Sequence, residues 1–382
     1  MILVEALFWV LLGLVLYVYV GYPLLLMVIA ALKEDRRADA VTEPRVTVLI
    51  SAYNEAGVIA AKLRNSIELD YPPEKLEIIV ISDASSDETD QIVSSFSSRG
   101  VRLFRMPERS GKTLGLNEGI RLASGDIVVF SDANALYARS AIRALVRHFA
   151  DPSIGAVVGQ SRYDVSDEVA DRSESAYWHY ETFIKRLEAK VGSVVGGDGA
   201  IYAIRRECYR PMKADALSDF VNPLQIVKQG LRCVYDPEAV SMETAAGSFG
   251  KEFRRKVRIV NRAWRAMRTM PELMNPLKYG FFSIQFVSHK LLRWLVPFFL
   301  LGIFATNVVL WNEHVFYRLA LTAQVLFYGL AAAGYALDGR SPLPRMLYIP
   351  FYFCLVNFAS ANGIFDAYRG KTYTTWSTAR SE

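Results

Sequence analysis

Four long uncharged runs frame this 382-residue chain. Residues 6–32 hold no charge over 27 positions, and residues 294–312, 319–337 and 346–365 give three further runs of 19, 19 and 20. A helix needs about 20 apolar residues to cross a bilayer, so each run predicts a transmembrane helix. The first is too long for a signal peptide and no basic stretch precedes it, which makes it an anchor. Residues 279–292 carry His289 and Lys290 and fall short of a span. They read as an amphipathic helix lying on the membrane surface. The last run contains Asn357, Ser360 and Asn362. Two readings of it stay open: a full span, or a re-entrant or interfacial segment.

Between these runs the pattern changes to short apolar stretches alternating with helical ones. "VTVLIS", "LEIIVIS", "VRLFRM", "DIVVFS" and "GAVVGQ" predict five strands, separated by helices over about 57–69, 86–97, 113–123 and 140–149. Ser85 or Ser86 is the expected cap of the second helix. Continuous apolar strands alternating with helices imply a parallel sheet covered on both faces. Ligands of such sheets sit beyond the carboxyl ends of the strands.

Charge adds orientation. Lys33, Arg36 and Arg37 follow the first run, and Lys290 and Arg293 precede the second. Basic flanks favour the cytoplasmic side, so the polar middle of the chain is expected there, at the plasma (inner) membrane. Three spans after it would carry the basic tail across the membrane, which the same rule disfavours; this conflict stays open. The net charge of +5 is modest, and many basic residues fall in 254–268. That distribution suits anionic lipid heads or phosphates, with no nucleic acid as partner. Cys208, Cys233 and Cys354, and the four histidines, have no metal-binding spacing, and a Ser-His-Asp hydrolase has no motif to stand on.

The strand ends carry the chemistry. The first delivers Ser51-Ala52-Tyr53-Asn54-Glu55 and the second Ser82-Asp83-Ala84-Ser85-Ser86-Asp87. The third is followed by Arg109-Ser110-Gly111-Lys112, which opens a helix where backbone amides favour anions. The fourth ends in Asp132-Ala133-Asn134. Each alone is an ordinary turn or cap. Four in a row predict a pocket for a ligand with an aromatic base, hydroxyls and phosphates.

At these residues the chain resembles the membrane-bound family-two glycosyltransferases of the polysaccharide-synthase kind. "SAYNE", "ISDASSDET", "GKTLGLNEGI" and "SDAN" are similar to that family's nucleotide-sugar motifs. The resemblance implies an α/β GT-A fold, a Rossmann-like nucleotide-sugar domain with a mainly parallel sheet, plus α-helical transmembrane segments. The implied division is an anchor at 1–32, a cytoplasmic GT-A domain at 33–270, an interfacial helix at 271–293, membrane helices at 294–365 and a basic tail at 366–382.

The resemblance also implies roles. Ala52, Tyr53, Glu55, Asp83, Lys112 and Asp132 would bind the nucleotide-sugar. Asp132 matches the first acid of the family's D-x-D, while Asn134 replaces the second. Together they would hold Mg²⁺ or Mn²⁺, hard ions that favour oxygen ligands and offset charge on a departing diphosphate. "DALSDFVNPLQIVKQGLRCVYDPEAVSME" resembles the stretch carrying the catalytic base, with Asp219 as the matching residue and Asp215 its local rival. Asp198 and Gly199, in "VVGGDGAIYAIRRE", would line the acceptor end. A glycine turn before a strand explains that segment equally well.

"EFRRKVRIVNRAW" stands where processive members carry Q-x-x-R-W, with Arg255 for Gln, Arg258 matching and Ile259 for Trp. Trp264 compensates only if its helix turns that way. The expected activity is inverting, metal-dependent transfer from a nucleotide-sugar, UDP-linked as first choice, to a polysaccharide or lipid-linked acceptor. Membrane lipids are further partners. Single addition to a polyprenyl-linked acceptor, and a non-catalytic sugar-nucleotide sensor, are the competing readings.

Overall fold

The computed structural model describes residues 1–34, 42–164, 169–244, 249–338 and 343–375. Arg36, Arg37 and residues 376–382 of the basic tail lie outside the described residues. The strands are β1 (Val46–Ala52), β2 (Leu76–Ser82), β3 (Val101–Arg105), β4 (Ile127–Asp132), β5 (Leu136–Tyr137), β6 (Ile154–Asp164), β7 (Tyr202–Arg205) and β8 (Arg232–Thr244). They form one sheet in the order β3-β2-β1-β4-β7-β6-β8-β5.

β1 pairs in parallel with β2 and β4, and β2 with β3, so four strands deliver their carboxyl ends next to one another. Period-two alternation loads both faces. Val46, Val48 and Ile50 pack with Val80 and Val129 on one side; Leu49 joins Ile79, Ile81, Val128 and Phe130 on the other. The sheet departs from the expected parallel series after β4. β7 is inserted antiparallel between β4 and β6, and β6 then pairs in parallel with β8. Neither β7 nor β8 follows from local pattern, because both are recruited by partners distant in sequence.

The helices that matter here are α1 (Ile2–Ala31), α2 (Ala56–Ile67), α3 (Thr89–Ser95), α4 (Lys112–Leu122), α5 (Ala141–Val146), α6 (Val169–Val191), α7 (Ser218–Lys228), α8 (Phe249–Arg268), α9 (Phe281–Val309), α10 (Val315–Leu337) and α11 (Arg345–Tyr368). The N-terminal turn of α3 is not tied by Ser85 or Ser86. Asp87 Oδ1 accepts from Thr89 N at 3.0 Å and from Thr89 Oγ1 at 2.5 Å.

α1, α9, α10 and α11 are long and apolar enough to cross a membrane. Residues 281–292, expected to lie on the membrane surface, continue without a break into α9, a helix of 29 residues. Its polar positions turn inward and bond to protein rather than to headgroups. His289 Nδ1 lies 2.8 Å from Glu188 Oε1, and Gln285 Nε2 donates to Glu188 O at 3.4 Å, both on α6. Tyr22 of α1 donates to the same Glu188 carboxylate at 2.5 Å, and Arg293 pairs with Glu181. Buried charges persist only when paired and hydrogen-bonded, and this knot satisfies that requirement while fastening two of these long apolar helices to the sheet domain. α11 is continuous over 24 residues and packs along α8. At Gly363 a Cβ would stand 2.8 Å from Val257 O and 3.0 Å from Asn261 N, so the two backbones touch. Asn357 Nδ2 and Ser360 Oγ donate to carbonyls one turn back in the same helix, at 2.9 Å each.

Candidate active site

The ends of β1, β2 and β4, the start of α4 and the segment before β7 converge. The first two loops are tied to one another. Asn54, in left-handed backbone (φ +51°), accepts from Ser86 N at 2.8 Å, and Ala56 N donates to Asp87 Oδ2 at 3.1 Å. Ala84 is also left-handed (φ +56°), a strain of about 1 kcal/mol for a residue with a Cβ, of the sort that persists where surrounding contacts impose it. The Arg109 guanidinium lies 3.9 Å from the centre of the Tyr53 ring and covers one of its faces. Ala52 is wholly buried; its carbonyl accepts from Asp83 N at 2.9 Å. Glu55 opens α2, and its N–H donates to Thr89 Oγ1 at 2.8 Å.

Asp83, expected to contact the nucleotide, is 1% exposed. Its Oδ1 accepts from Ser110 N at 2.7 Å and its Oδ2 from Gly111 N at 2.9 Å. The carboxylate therefore shapes the loop that opens α4. Gly111 is required there twice over: φ is +90°, and a Cβ would stand 2.3 Å from the carbonyl oxygen of Thr374. The segment after α11 thus lies against the turn before Lys112, a contact that nothing in local sequence announces.

Lys112 Nζ pairs with Asp132 Oδ1 and approaches Gly199 O at 3.4 Å. A point in space defines the centre. A Cβ on Gly199 would be 3.6 Å from Asp219 Oδ2, 3.7 Å from Asp132 Oδ2 and 3.7 Å from Lys112 Nζ. Two carboxylates and an ammonium therefore surround one small space that the missing side chain leaves open. Asp198 stands beside it. Its Oδ1 accepts from Ser161 Oγ at 2.8 Å, while its Oδ2 is buried without a hydrogen-bond partner among the described residues.

Asp219 lies in the first turn of α7, where no side chain makes a capping bond. Burial, with Asp198 and Asp132 adding to it, raises its pKa above the usual carboxylate range against the pull of Lys112. Asp215, its rival, is tied up elsewhere: Oδ2 accepts from Arg265 at 2.8 Å. Arg258 feels both Asp132 and Asp219, and burial lowers its pKa from the arginine value. Arg255 is paired with Glu252 at 2.6 Å. Trp264 does not turn toward this centre; it packs with Val260, Ile364 and Ala367.

Two residues escaped sequence reasoning. Glu243, at the end of β8, belongs to the same charge cluster. Burial first, then Asp132 and Asp198, push its pKa up to about 8, opposed by Arg255 and Lys112. The signal was an acid closing an apolar strand, but β8 reaches this position only through its pairing with β6. Lys62 of α2 is fully buried beneath the turn that follows Asp132, with Nζ on Ala135 O at 2.5 Å and 3.6 Å from the Tyr137 ring centre. Burial brings its pKa down to about 7.

The donor set suits a hard dication: Asp132 Oδ2 faces the open point, Asp198 Oδ2 is orphaned, and Asn134 follows in the turn closed by Ala135 N on Asp132 O at 3.3 Å. Among the described residues no three histidine, cysteine, aspartate or glutamate side chains cluster to hold a metal ion.

Residues 47–210 match the family model described as Glycosyl transferase family 2. This chain carries a family 2 glycosyl transferase domain. Asp219, Glu243, Arg255 and Arg258 lie beyond the matched residues, so their membership of the centre rests on geometry. The chain is 28% identical over 220 residues to poly-beta-1,6-N-acetyl-D-glucosamine synthase of Staphylococcus aureus, covering 56% of this chain and 53% of that one. It is 38% identical over 125 residues to the probable glycosyltransferase YdaM of Bacillus subtilis, covering 31% and 30%. The chain thus spans about half the length of the first of these curated relatives. Among solved structures, the mannosyltransferase PcManGT from Pyrobaculum calidifontis, in complex with GDP-Man and Mn2+, superposes with a TM-score of 0.70 at 24% identity. That likeness covers 96% of this chain and 99% of the other, so the GT-A fold is shared with the helices included.

Proposed function

We propose that this family 2 domain is an inverting glycosyltransferase acting at the cytoplasmic face of a membrane. It moves a sugar from a nucleotide-sugar, UDP-linked as first choice, to a polysaccharide or lipid-linked acceptor in cell-surface glycan synthesis. The carrying observation is the open point at Gly199, with Asp219, Asp132 and Lys112 all within 3.7 Å.

Ala52, Tyr53 and Glu55 border the base and ribose, and Asp83 holds the Ser110–Gly111 turn so that Lys112 faces the phosphates. Asp219 accepts the proton of the acceptor hydroxyl as that oxygen attacks the anomeric carbon. Its raised pKa makes it a stronger base than a solvated carboxylate. Attack from the side opposite the departing diphosphate inverts the anomeric centre. Lys112 and Arg258 carry charge against the growing negative charge of that diphosphate. Asp132, with Asp198 and Asn134 as neighbouring oxygen donors, would hold Mg²⁺ or Mn²⁺, which offsets the same charge. Asp198, Gly199 and Arg255 border the acceptor.

The orientation is supported by Lys33, whose Nζ donates to Val191 O, and by Arg293 at the start of the next apolar stretch, both contacting α6. One observation favours the second reading, single addition to a polyprenyl-linked acceptor. Ile259 stands where a processive enzyme needs a flat aromatic face, and Trp264 is packed elsewhere.

The test is purified full-length protein in detergent with Mn²⁺, offered a panel of nucleotide-sugars, with diphosphate release and product size recorded. Release with a long product supports polymer synthesis. Release only with a lipid or oligosaccharide acceptor, and one sugar gained, supports single addition. Nucleotide binding without release from any donor refutes the enzyme and leaves a sensor.

A further inference from the structure

A second charged cavity lies away from the open point. It has a volume of about 510 Å³ and lies between the 211–216 segment, α7, the end of α8 and the end of α11. None of Lys112, Asp132, Asp198 and Asp219 lines it. Four cations do: Lys213, Arg262, Arg265 and Arg268, against a single carboxylate, Asp215.

Two of the four are already committed. Arg262 donates to Asp215 O at 3.1 Å, to Thr113 Oγ1 at 3.0 Å and to Ala216 O, which makes it the wall between this cavity and the start of α4. Arg265 is paired with Asp215. Lys213 and Arg268 are exposed. Arg268 lies 5.1 Å from the ring centre of Tyr368, the last residue of α11.

Like charges gathered in one concavity attract an anion, and arginine and lysine together suit phosphate oxygens. The rest of the lining says where the phosphate comes from. Met212, Val221 and Ala367 give the cavity an apolar side, and Ala367 belongs to the last turn of a helix long enough to span a bilayer. A cavity cationic on one side and apolar on the other, at the end of an apolar helix of this length, matches a lipid that carries a phosphate beside its acyl chain.

We propose that this cavity binds a phosphate group, carried by the headgroup of an anionic membrane lipid, at a site separate from the donor pocket. The proposal stands whether or not the domain transfers sugar, because its readout is lipid retention.

The experiment places the full chain in nanodiscs of zwitterionic phospholipid, with and without an anionic phospholipid, and counts retained lipids by native mass spectrometry. Wild type is expected to keep an anionic lipid in preference to a zwitterionic one. Lys213→Gln and Arg268→Gln should each weaken that preference about fivefold, and the double variant about 25-fold. Thr269→Asp, at an exposed position in the same wall, is an independent test that adds a negative charge and should weaken it as well. Anionic retention equal in wild type, the double variant and Thr269→Asp, with unchanged Tm, overturns the site. Inorganic pyrophosphate, titrated in detergent by calorimetry, separates the sources. Pyrophosphate binding lost in the double variant, without any anionic lipid preference in nanodiscs, overturns the lipid assignment.

Discussion

Replacing Gly199 with alanine tests the proposed centre directly. The added carbon would stand 3.6 Å from Asp219 Oδ2 and 3.7 Å from both Asp132 Oδ2 and Lys112 Nζ. Those are ordinary van der Waals distances, and the backbone at 199 is not left-handed, so Gly199→Ala should fold within about 0.5 kcal/mol of wild type. Yet the methyl group occupies the space between the groups that would meet the reacting atoms. An acceptor oxygen must come within about 2.6–3.2 Å of the base, and a carbon already in contact with that carboxylate holds it off by on the order of 1 Å. A misplacement of that size costs about 100-fold in rate, equivalent to about 2.7 kcal/mol in the barrier. The assay is kcat/KM for diphosphate release from the preferred nucleotide-sugar, with Tm measured in the same detergent. A kcat/KM within about threefold of wild type at unchanged Tm would refute the claim that Asp132, Asp219 and Lys112 face a shared reaction space.

Five other outcomes are expected. Asp219→Asn should abolish transfer while nucleotide affinity, measured by calorimetry, stays within about twofold; retained turnover removes Asp219 as the base. Because burial raises the Asp219 pKa, wild-type kcat/KM should rise with pH through a midpoint above the ordinary carboxylate value of about 4 and fall away below it. A midpoint at the ordinary value would contradict the buried base. Gly111→Ala places a side chain at φ +90° and 2.3 Å from Thr374 O, so Tm should fall by an amount equivalent to at least about 1–2 kcal/mol and nucleotide binding should weaken; no change in either would deny the contact. Tyr22→Phe takes a 2.5 Å hydrogen bond from the buried Glu188 and should cost about 1–3 kcal/mol, read as a lower Tm, with the nucleotide Kd unaffected. Chelation of divalent ions should stop diphosphate release, and Mn²⁺ or Mg²⁺ should restore it; full activity in chelator rejects the metal role of Asp132.

Much of the architecture is local in origin and was therefore readable along the chain. The apolar runs announce α1, α9, α10 and α11, helices long and apolar enough to cross a membrane, because a run of about 20 apolar residues is what such a helix needs. β1, β2 and β4 are announced by continuous apolar stretches, since both faces of the sheet are covered. Tyr53, Asp83, Lys112 and Asp132 were found because a parallel sheet gathers its strand ends on one edge, so order along the chain becomes proximity in space.

What the sequence could not disclose depends on pairs distant along the chain. β7 enters antiparallel beside β4 only because residues about 75 positions downstream pair there. That placement brings Asp198 and Gly199 to Asp132, and β8 brings Glu243 by the same kind of long-range pairing. The two backbone amides that the Asp83 carboxylate accepts from, those of Ser110 and Gly111, arrive from a loop 27 and 28 positions along the chain. The polar residues of 281–292 look like a surface helix, yet Glu188 and Glu181 supply partners that let them stay buried within a continuous one. The contact of Thr374 with Gly111 joins residues 263 positions apart. Local pattern carries hydrophobic period and turn chemistry; which buried polar group meets which partner is decided only when the sheet closes and the helices dock against it.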